Sequence, residues 1–203
     1  MKKIKIVSLL LFSITMFLTA CKEDKKIPQA EATNLGYSTS VDFDRTLMQI
    51  LDQSPEYNSF LKLVNSVSLF DELKELNNVM IFVPSDEAYG PSKYMINELS
   101  VPDSLSRLKE ILNYHIVKSE SNVENLIASI EMQETPLRLE TAHGGYLVFR
   151  VEKNELQILD ENGNVAVVKR KSTRGSNGIV YTIDKLLVPR KEMEIKPANL
   201  QGQ

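Results

Sequence analysis

The sequence predicts an α+β domain, and three observations carry that prediction. Apolar residues recur at helical spacing through the first half of the chain, strand-like segments punctuated by turn dipeptides fill the second half, and one short continuous apolar run lies early among the helices. No internal repeat is visible, so the pattern reads as a single domain.

Ahead of that domain, Lys2, Lys3 and Lys5 open an apolar run from Ile4 to Leu18, and Leu18-Thr19-Ala20-Cys21 closes it. A cationic start, an apolar middle and small residues before a cut make residues 1–20 a secretory signal peptide. The four closing residues resemble the lipobox of bacterial lipoproteins, and Cys21 is the only cysteine of the chain. The resemblance implies cleavage before Cys21, acylation of its thiol, and a protein tethered to membrane after export. Several acyl chains anchor durably where one holds only marginally. Residues 21–40 then read as the lipidated Cys and a polar tether. Lys22, not an acid, follows the cysteine, which resembles an outer-membrane sorting signal. The two acids among three lysines in Lys22-Glu23-Asp24-Lys25-Lys26 are similar in part to the surface-export signal of Bacteroidetes lipoproteins. The expected location is the outer membrane, facing the cell surface or the periplasm.

Residues 43–76 carry helical stripes: Leu47, Ile50 and Leu51, then Phe60, Leu63 and Val64, then Leu69, Phe70 and Leu73, broken near Pro55 and Ser66. Val79 to Val83 is a continuous apolar run stopped by Pro84, as expected of a strand buried on both faces. Ser85 fits a helix N-cap, with Asp86 and Glu87 in the first turn where the dipole favours acids. From Pro102 a helix runs with Leu105, Leu108, Ile111, Leu112 and Ile116 on one face, capped by Asp103 or Ser104. Ser121-Asn122-Val123-Glu124 has capping-box spacing and opens a shorter helix. Strands follow at Tyr146–Val151 and Leu156–Leu159 around a Lys153-Asn154 turn, then at Val165–Lys169 and Ile179–Val188, with turns at Asn162-Gly163 and Ser172–Gly178. Residues 191–203 form a polar tail.

Composition narrows the function. The signal contains three lysines and no acid, so its removal takes the formal charge from −3 to −6 and leaves 183 of 203 residues. An acidic chain with dispersed charge is not built to hold a phosphate backbone, so no nucleic-acid partner is expected. With Cys21 acylated there is no thiol for disulfides, nucleophilic catalysis or metal binding. Beyond the signal, no run approaches the roughly 18 apolar residues that span a bilayer.

Three segments then come together. Ile81-Phe82-Val83-Pro84-Ser85-Asp86-Glu87-Ala88-Tyr89 resembles the first box of fasciclin (FAS1) domains, commonly T-V-F-A-P-T-N-x-A-F. Tyr114-His115 is similar to the family's Tyr-His motif. Asn177-Gly178-Ile179-Val180-Tyr181-Thr182-Ile183-Asp184, followed by Leu186-Leu187-Val188-Pro189, resembles the second box. Met80 stands for the usual Thr, Ser85-Asp86 for Thr-Asn and Tyr89 for Phe, changes that keep size or capping ability. The resemblance spans residues 41–190 and implies a FAS1 β-wedge with helices packed at one side. It also implies that the two boxes lie side by side on central strands. The motif residues Phe82, Pro84, Ser85, Ala88, Tyr114, His115, Asn177, Gly178, Ile183 and Asp184 are expected to be mainly structural.

Catalytic signatures are absent from the sequence: no G-x-S-x-G, H-E-x-x-H or Gly-Lys-Ser/Thr loop occurs. His115 falls near an apolar helix face and reads as a buried, hydrogen-bonded histidine, while His143 beside Gly144-Gly145 reads as a solvated loop residue. Asp160-Glu161 next to Asn162-Gly163 reads as part of a turn. Lys169-Arg170-Lys171 with Arg174 is a basic cluster that reads as a solvated strand end, or a contact for anionic head groups or an acidic glycan. Asp103-Ser104-Leu105 resembles the O-glycosylation motif of exported Bacteroidetes proteins, although helix capping explains the same residues. We therefore expect no enzyme, no cofactor and no metal. The expected function is a lipid-anchored envelope binding module for adhesion or protein–protein interaction. The alternative is a glycan-binding accessory to an outer-membrane nutrient transporter, which needs an aromatic platform from Tyr146, Phe149 or Tyr94. Strand alternation turns Phe149 inward.

Overall fold

The computed structural model describes residues 35–90 and 94–190. The expected signal peptide, Cys21, the expected tether up to residue 34, the tail 191–203 and the Tyr94 side chain lie outside the described residues. Among the described residues there are six α-helices: α1 (Leu47–Asp52), α2 (Asn58–Ser66), α3 (Phe70–Lys74), α4 (Tyr94–Leu99), α5 (Leu105–Tyr114) and α6 (Val123–Gln133). The same residues form eight strands, β1 (Ser38–Val41), β2 (Val79–Pro84), β3 (Ile116–Val117), β4 (Leu137–Glu140), β5 (Tyr146–Glu152), β6 (Glu155–Leu159), β7 (Val165–Arg174) and β8 (Gly178–Ile183).

The strands lie in the order β3-β2-β8-β7-β6-β5-β4, with β1 joined to β7. A bridge from Val117 to Thr141, just past β4, brings the two ends of this mixed sheet together as a near-barrel wedge. β2 and β8 run parallel at its centre, from Val79 opposite Gly178 to Pro84 opposite Ile183. Parallel strands are covered on both faces, which is why β2 is one unbroken apolar run. Val79, Ile81 and Val83 face a cluster with Leu47, Leu51, Phe60, Leu63 and Leu112 from the helices. Met80 and Phe82 face the wedge interior with Tyr114, Leu147, Phe149, Ile158 and Tyr181. The Phe82 ring stacks on Tyr181 at 5.3 Å and meets Phe149 at 5.3 Å.

Several local expectations need correction. Ser85 precedes only a 3-10 turn (Asp86–Tyr89) and its side chain caps nothing there. Asp86 Oδ1 instead accepts the Ser59 N–H at 2.7 Å, so it caps α2 from outside. The helix from Pro102 begins as a 3-10 turn, and neither Asp103 nor Ser104 makes a capping hydrogen bond. It ends at Tyr114, so Ile116 is a strand residue that continues the helix's apolar phase by coincidence. The cap of α6 is Asn122, whose side chain accepts the Asn125 N–H, and not Ser121. β7 extends to Arg174 and β8 stops at Ile183, shorter than the strand expected to Val188. β1 falls at the end of the stretch read as tether; it is paired into the sheet, and Leu35 before it is buried.

Candidate functional site

The motif residues form one hydrogen-bonded unit inside the wedge. Phe82 N–H donates to the His115 carbonyl at 2.9 Å, and Ser85 N–H donates to the Ile183 carbonyl at 3.1 Å. Pro84 pairs with Ile183 across the central strands, and Ala88 N–H closes the next turn onto the Ser85 carbonyl. His115 is fully buried, with Nδ1 2.7 Å from the Ile111 carbonyl and Nε2 accepting the Leu187 N–H at 3.1 Å. Burial lowers its pKa to about 4, so the ring is neutral and held in the tautomer that donates from Nδ1. Tyr114 donates its hydroxyl to the Tyr146 carbonyl at 2.7 Å and accepts the Glu161 N–H at 3.0 Å, tying α5 to the β5 hairpin. Burial pushes that phenol above its ordinary range.

The second box works in the same way. Asn177 Oδ1 accepts the Leu47 N–H and its Nδ2 donates to the Leu76 carbonyl, both at 2.8 Å, so one side chain caps α1 and fixes the approach to β2. Gly178 lies where any Cβ would overlap the Val79 carbonyl oxygen and press within 3.0 Å of Leu47 Cδ1. Asp184 Oδ1 accepts the Val167 N–H at 2.6 Å. Asp160 is likewise internal: its two oxygens take the backbone N–H groups of Asn162, Asn164 and Val188 and the Asn164 amide.

Outside this unit lies a groove of about 820 Å³. A bulge in β7 shapes one wall: Val168 pairs with Ile183 and Ser172 with Tyr181, so Lys169, Arg170 and Lys171 stand opposite Thr182 alone. All three cations are exposed. Ser38 and Ser40 of β1 continue that side, while Glu56, Asp86 and Glu87 line the other. Deeper in, the Tyr57 hydroxyl and Thr182 Oγ1 share a 2.6 Å hydrogen bond, and burial lifts the Tyr57 phenol to about 12 despite that bond. The groove can thus offer hydroxyls, cations and carboxylates, but neither histidine lines it. Among the described residues, no cluster of three or more side chains could hold a metal.

Sequence reasoning missed the groove because its parts come from β1, the 55–57 turn, the 86–89 turn and β7. One signal was available: three consecutive charged residues interrupt the alternation of Ala166 and Val168, which marks a bulge. His143 lies over the edge of the Tyr114 ring at 6.3 Å and lines a separate 330 Å³ depression with Val117, Lys118 and Thr141. Tyr146 is partly exposed, with the Arg138 guanidinium 3.8 Å above its ring, and Phe149 is fully buried.

The wedge has known counterparts. It superposes with a TM-score of 0.62 on a FAS1 domain pair from Fasciclin I, described as an insect cell adhesion molecule, at 20% identity over 72% of this chain and 51% of that one. By sequence, it is 30% identical over 131 residues to Fasciclin-1 of Drosophila melanogaster, spanning 61% of this chain and 19% of that protein. A bacterial relative, protein sll1483 of Synechocystis, is 20% identical over 151 residues, 74% of this chain and 77% of its own. The transforming growth factor-beta-induced protein ig-h3 of Sus scrofa is 27% identical over 145 residues, 70% of this chain and 19% of that protein. This chain therefore spans about a fifth of the animal proteins it resembles. The fasciclin domain model matches residues 55–189, from the turn before α2 to the segment after β8, and on that match the chain belongs to the fasciclin domain family.

Proposed function

We propose that this chain is a lipid-anchored cell-envelope module that binds a protein partner in adhesion or in assembly of a surface complex. Family membership supports the adhesive class, since its relatives include an insect cell adhesion molecule. The observation that carries the reading at residue level is the division of labour in the sheet. The motif side chains are used internally apart from Ser85, which lines the groove, while Val41 (59% exposed) and Phe43 (63% exposed) stand out at the end of β1. Among the described residues β1 pairs only with β7, so its outer edge offers backbone groups beside an apolar pair. An edge strand with adjacent apolar side chains is suited to a protein partner. Lipid anchoring is proposed on the lipobox resemblance alone, through Cys21. Glycan capture has less support, because among the described residues of its aromatic platform Phe149 is buried and Tyr146 carries Arg138 across its face.

The test is a membrane-impermeant crosslinker applied to intact cells carrying either the natural chain or Phe43→Ser. Capture of one surface protein by the natural chain, reduced at least tenfold by Phe43→Ser, is the expected result. Equal capture by both would remove the β1 edge from the partner surface. Capture of a nutrient transporter instead would favour the accessory role. Cys21→Ser should release the protein from the membrane fraction, and its retention there with the signal removed would contradict the anchor.

A further inference from the structure

The basic bulge of β7 is exposed and placed at the end of the domain where the tether enters. Ser38, the first residue of β1, stands opposite Lys171, and Ser172 opposite Thr39. The Arg170 guanidinium lies 5.5 Å over the ring of Tyr37, the residue before β1, and donates to the Asn154 carbonyl. That contact brings the exposed Lys153-Asn154 turn beside the same patch. Lys169, Lys171 and Lys153 form no ion pair among the described residues, whereas Arg174 further along β7 is paired with Glu120. The groove's acids come from other elements, the turns at residues 55–57 and 86–89. The strand that holds the tether-side end of the domain therefore carries only cations over residues 169–171.

Thirteen residues separate Cys21 from Leu35. Fully extended, that length spans at most about 50 Å, so an anchored domain keeps the start of β1 within reach of the lipid head groups. Tethering makes the encounter intramolecular and raises the effective concentration of head groups at the patch. From this placement and the charge complementarity we propose that Lys153, Lys169, Arg170 and Lys171 dock the domain onto the phosphates of anionic phospholipids in the membrane that holds its own anchor. The inference rests on the anchoring reading above. Docking of this kind orients the domain: the start of β1 lies against the bilayer and Val41 and Phe43, at its other end, point away from it. Each basic side chain near an anionic surface contributes about fivefold in binding.

The experiment uses the mature full chain in vesicles, with Ser38→Cys carrying a fluorophore. Cys21 is the only native cysteine, and once acylated it leaves the label a single site. A quencher attached to head groups reports docking, in vesicles of neutral phosphatidylcholine and in vesicles containing phosphatidylglycerol. We expect strong quenching only with the anionic lipid, lost at high salt. Lys169→Gln with Lys171→Gln should lower the docked-to-free ratio about 25-fold with no change in thermal stability. Equal quenching in the two lipids, or no effect of the double substitution, would overturn the proposal. So would a response to soluble dextran sulfate without one to anionic vesicles, which would assign the patch to an acidic glycan. The mass of the Cys21 peptide reads the anchor separately: acyl chains without docking would sink this inference alone, and an unmodified Cys21 would sink the anchoring.

Discussion

The β2–β8 pair and the β1–β7 pair are both parallel, and both belong to one sheet. They differ in almost every other respect. All twelve residues of β2 and β8 are buried, and the motif side chains Phe82 and Ile183 there belong to the core. β1 is four polar or small residues, mostly exposed, held to β7 by its ladder and by hydroxyl contacts such as Thr39 Oγ1 to Ser172 Oγ at 2.8 Å. The lesson is that the residues carrying the family resemblance and the surface we propose for a partner occupy different strands. Substitutions in the first pair should damage the fold, and substitutions in the second should leave it intact.

The largest effect that would sharpen this contrast is expected from Gly178→Val. Its side chain would collide with the Val79 backbone and Leu47, lowering stability by more than about 3 kcal/mol or preventing folding. Thermal unfolding measures it, and an unchanged midpoint would contradict the close approach. Asn177→Ala comes next, because it leaves the Leu47 N–H and Leu76 carbonyl without their partner. About 2–3 kcal/mol is expected in urea unfolding. His115 gives the pH dependence. Its folded pKa, lowered by burial to about 4, lies below the ordinary 6.5. The unfolded chain therefore binds the proton first as pH falls. The stability His115 supplies is complete well above pH 6.5 and is lost between pH 6.5 and about 4, roughly 2–3 kcal/mol by pH 4.5. A His115→Gln variant should show a flatter stability profile across that window, and parallel profiles would show that other groups set it. Phe43→Ser should have the smallest effect on the fold, within about 0.5 kcal/mol. A large loss of stability there would break the comparison, because the open edge would then be part of the core.

Much of this division is written in local sequence. Val79–Val83 is legible as a strand because burial on both faces needs no polar position, and Lys153-Asn154 is legible as a turn because both residues take positive φ (54° and 62°). His115 is legible as buried because it follows directly on the apolar face of α5, at whose C-cap it lies. Other features depend on distant partners. Ser38-Thr39-Ser40-Val41 has no alternation and a single apolar residue, and becomes a strand only because β7 offers its ladder some 130 residues away. Ser85 and Ser104 look like caps, yet α2 is capped by Asp86 and α5 begins as a 3-10 turn. The groove is the least legible part, since no single segment contains it. Only the run of cations in β7 announces the bulge that opens it.

The position of β1 also has a mechanical consequence. Were the protein held at Cys21 and gripped at Val41 and Phe43, as proposed, it would be stretched between two points on the same short stretch of chain. Tension would then enter at Ser38, run along the axis of β1 and leave three residues later, bypassing the helices, the stacked rings and the β2–β8 ladder. The β1–β7 hydrogen bonds keep the strand in place without lying in series with the pull, so a sustained tug need not unravel the domain. Grip at any site beyond β8 would instead load the whole wedge. Pulling single molecules from each of these two attachment points would separate a stiff strap from a sequence of unfolding steps.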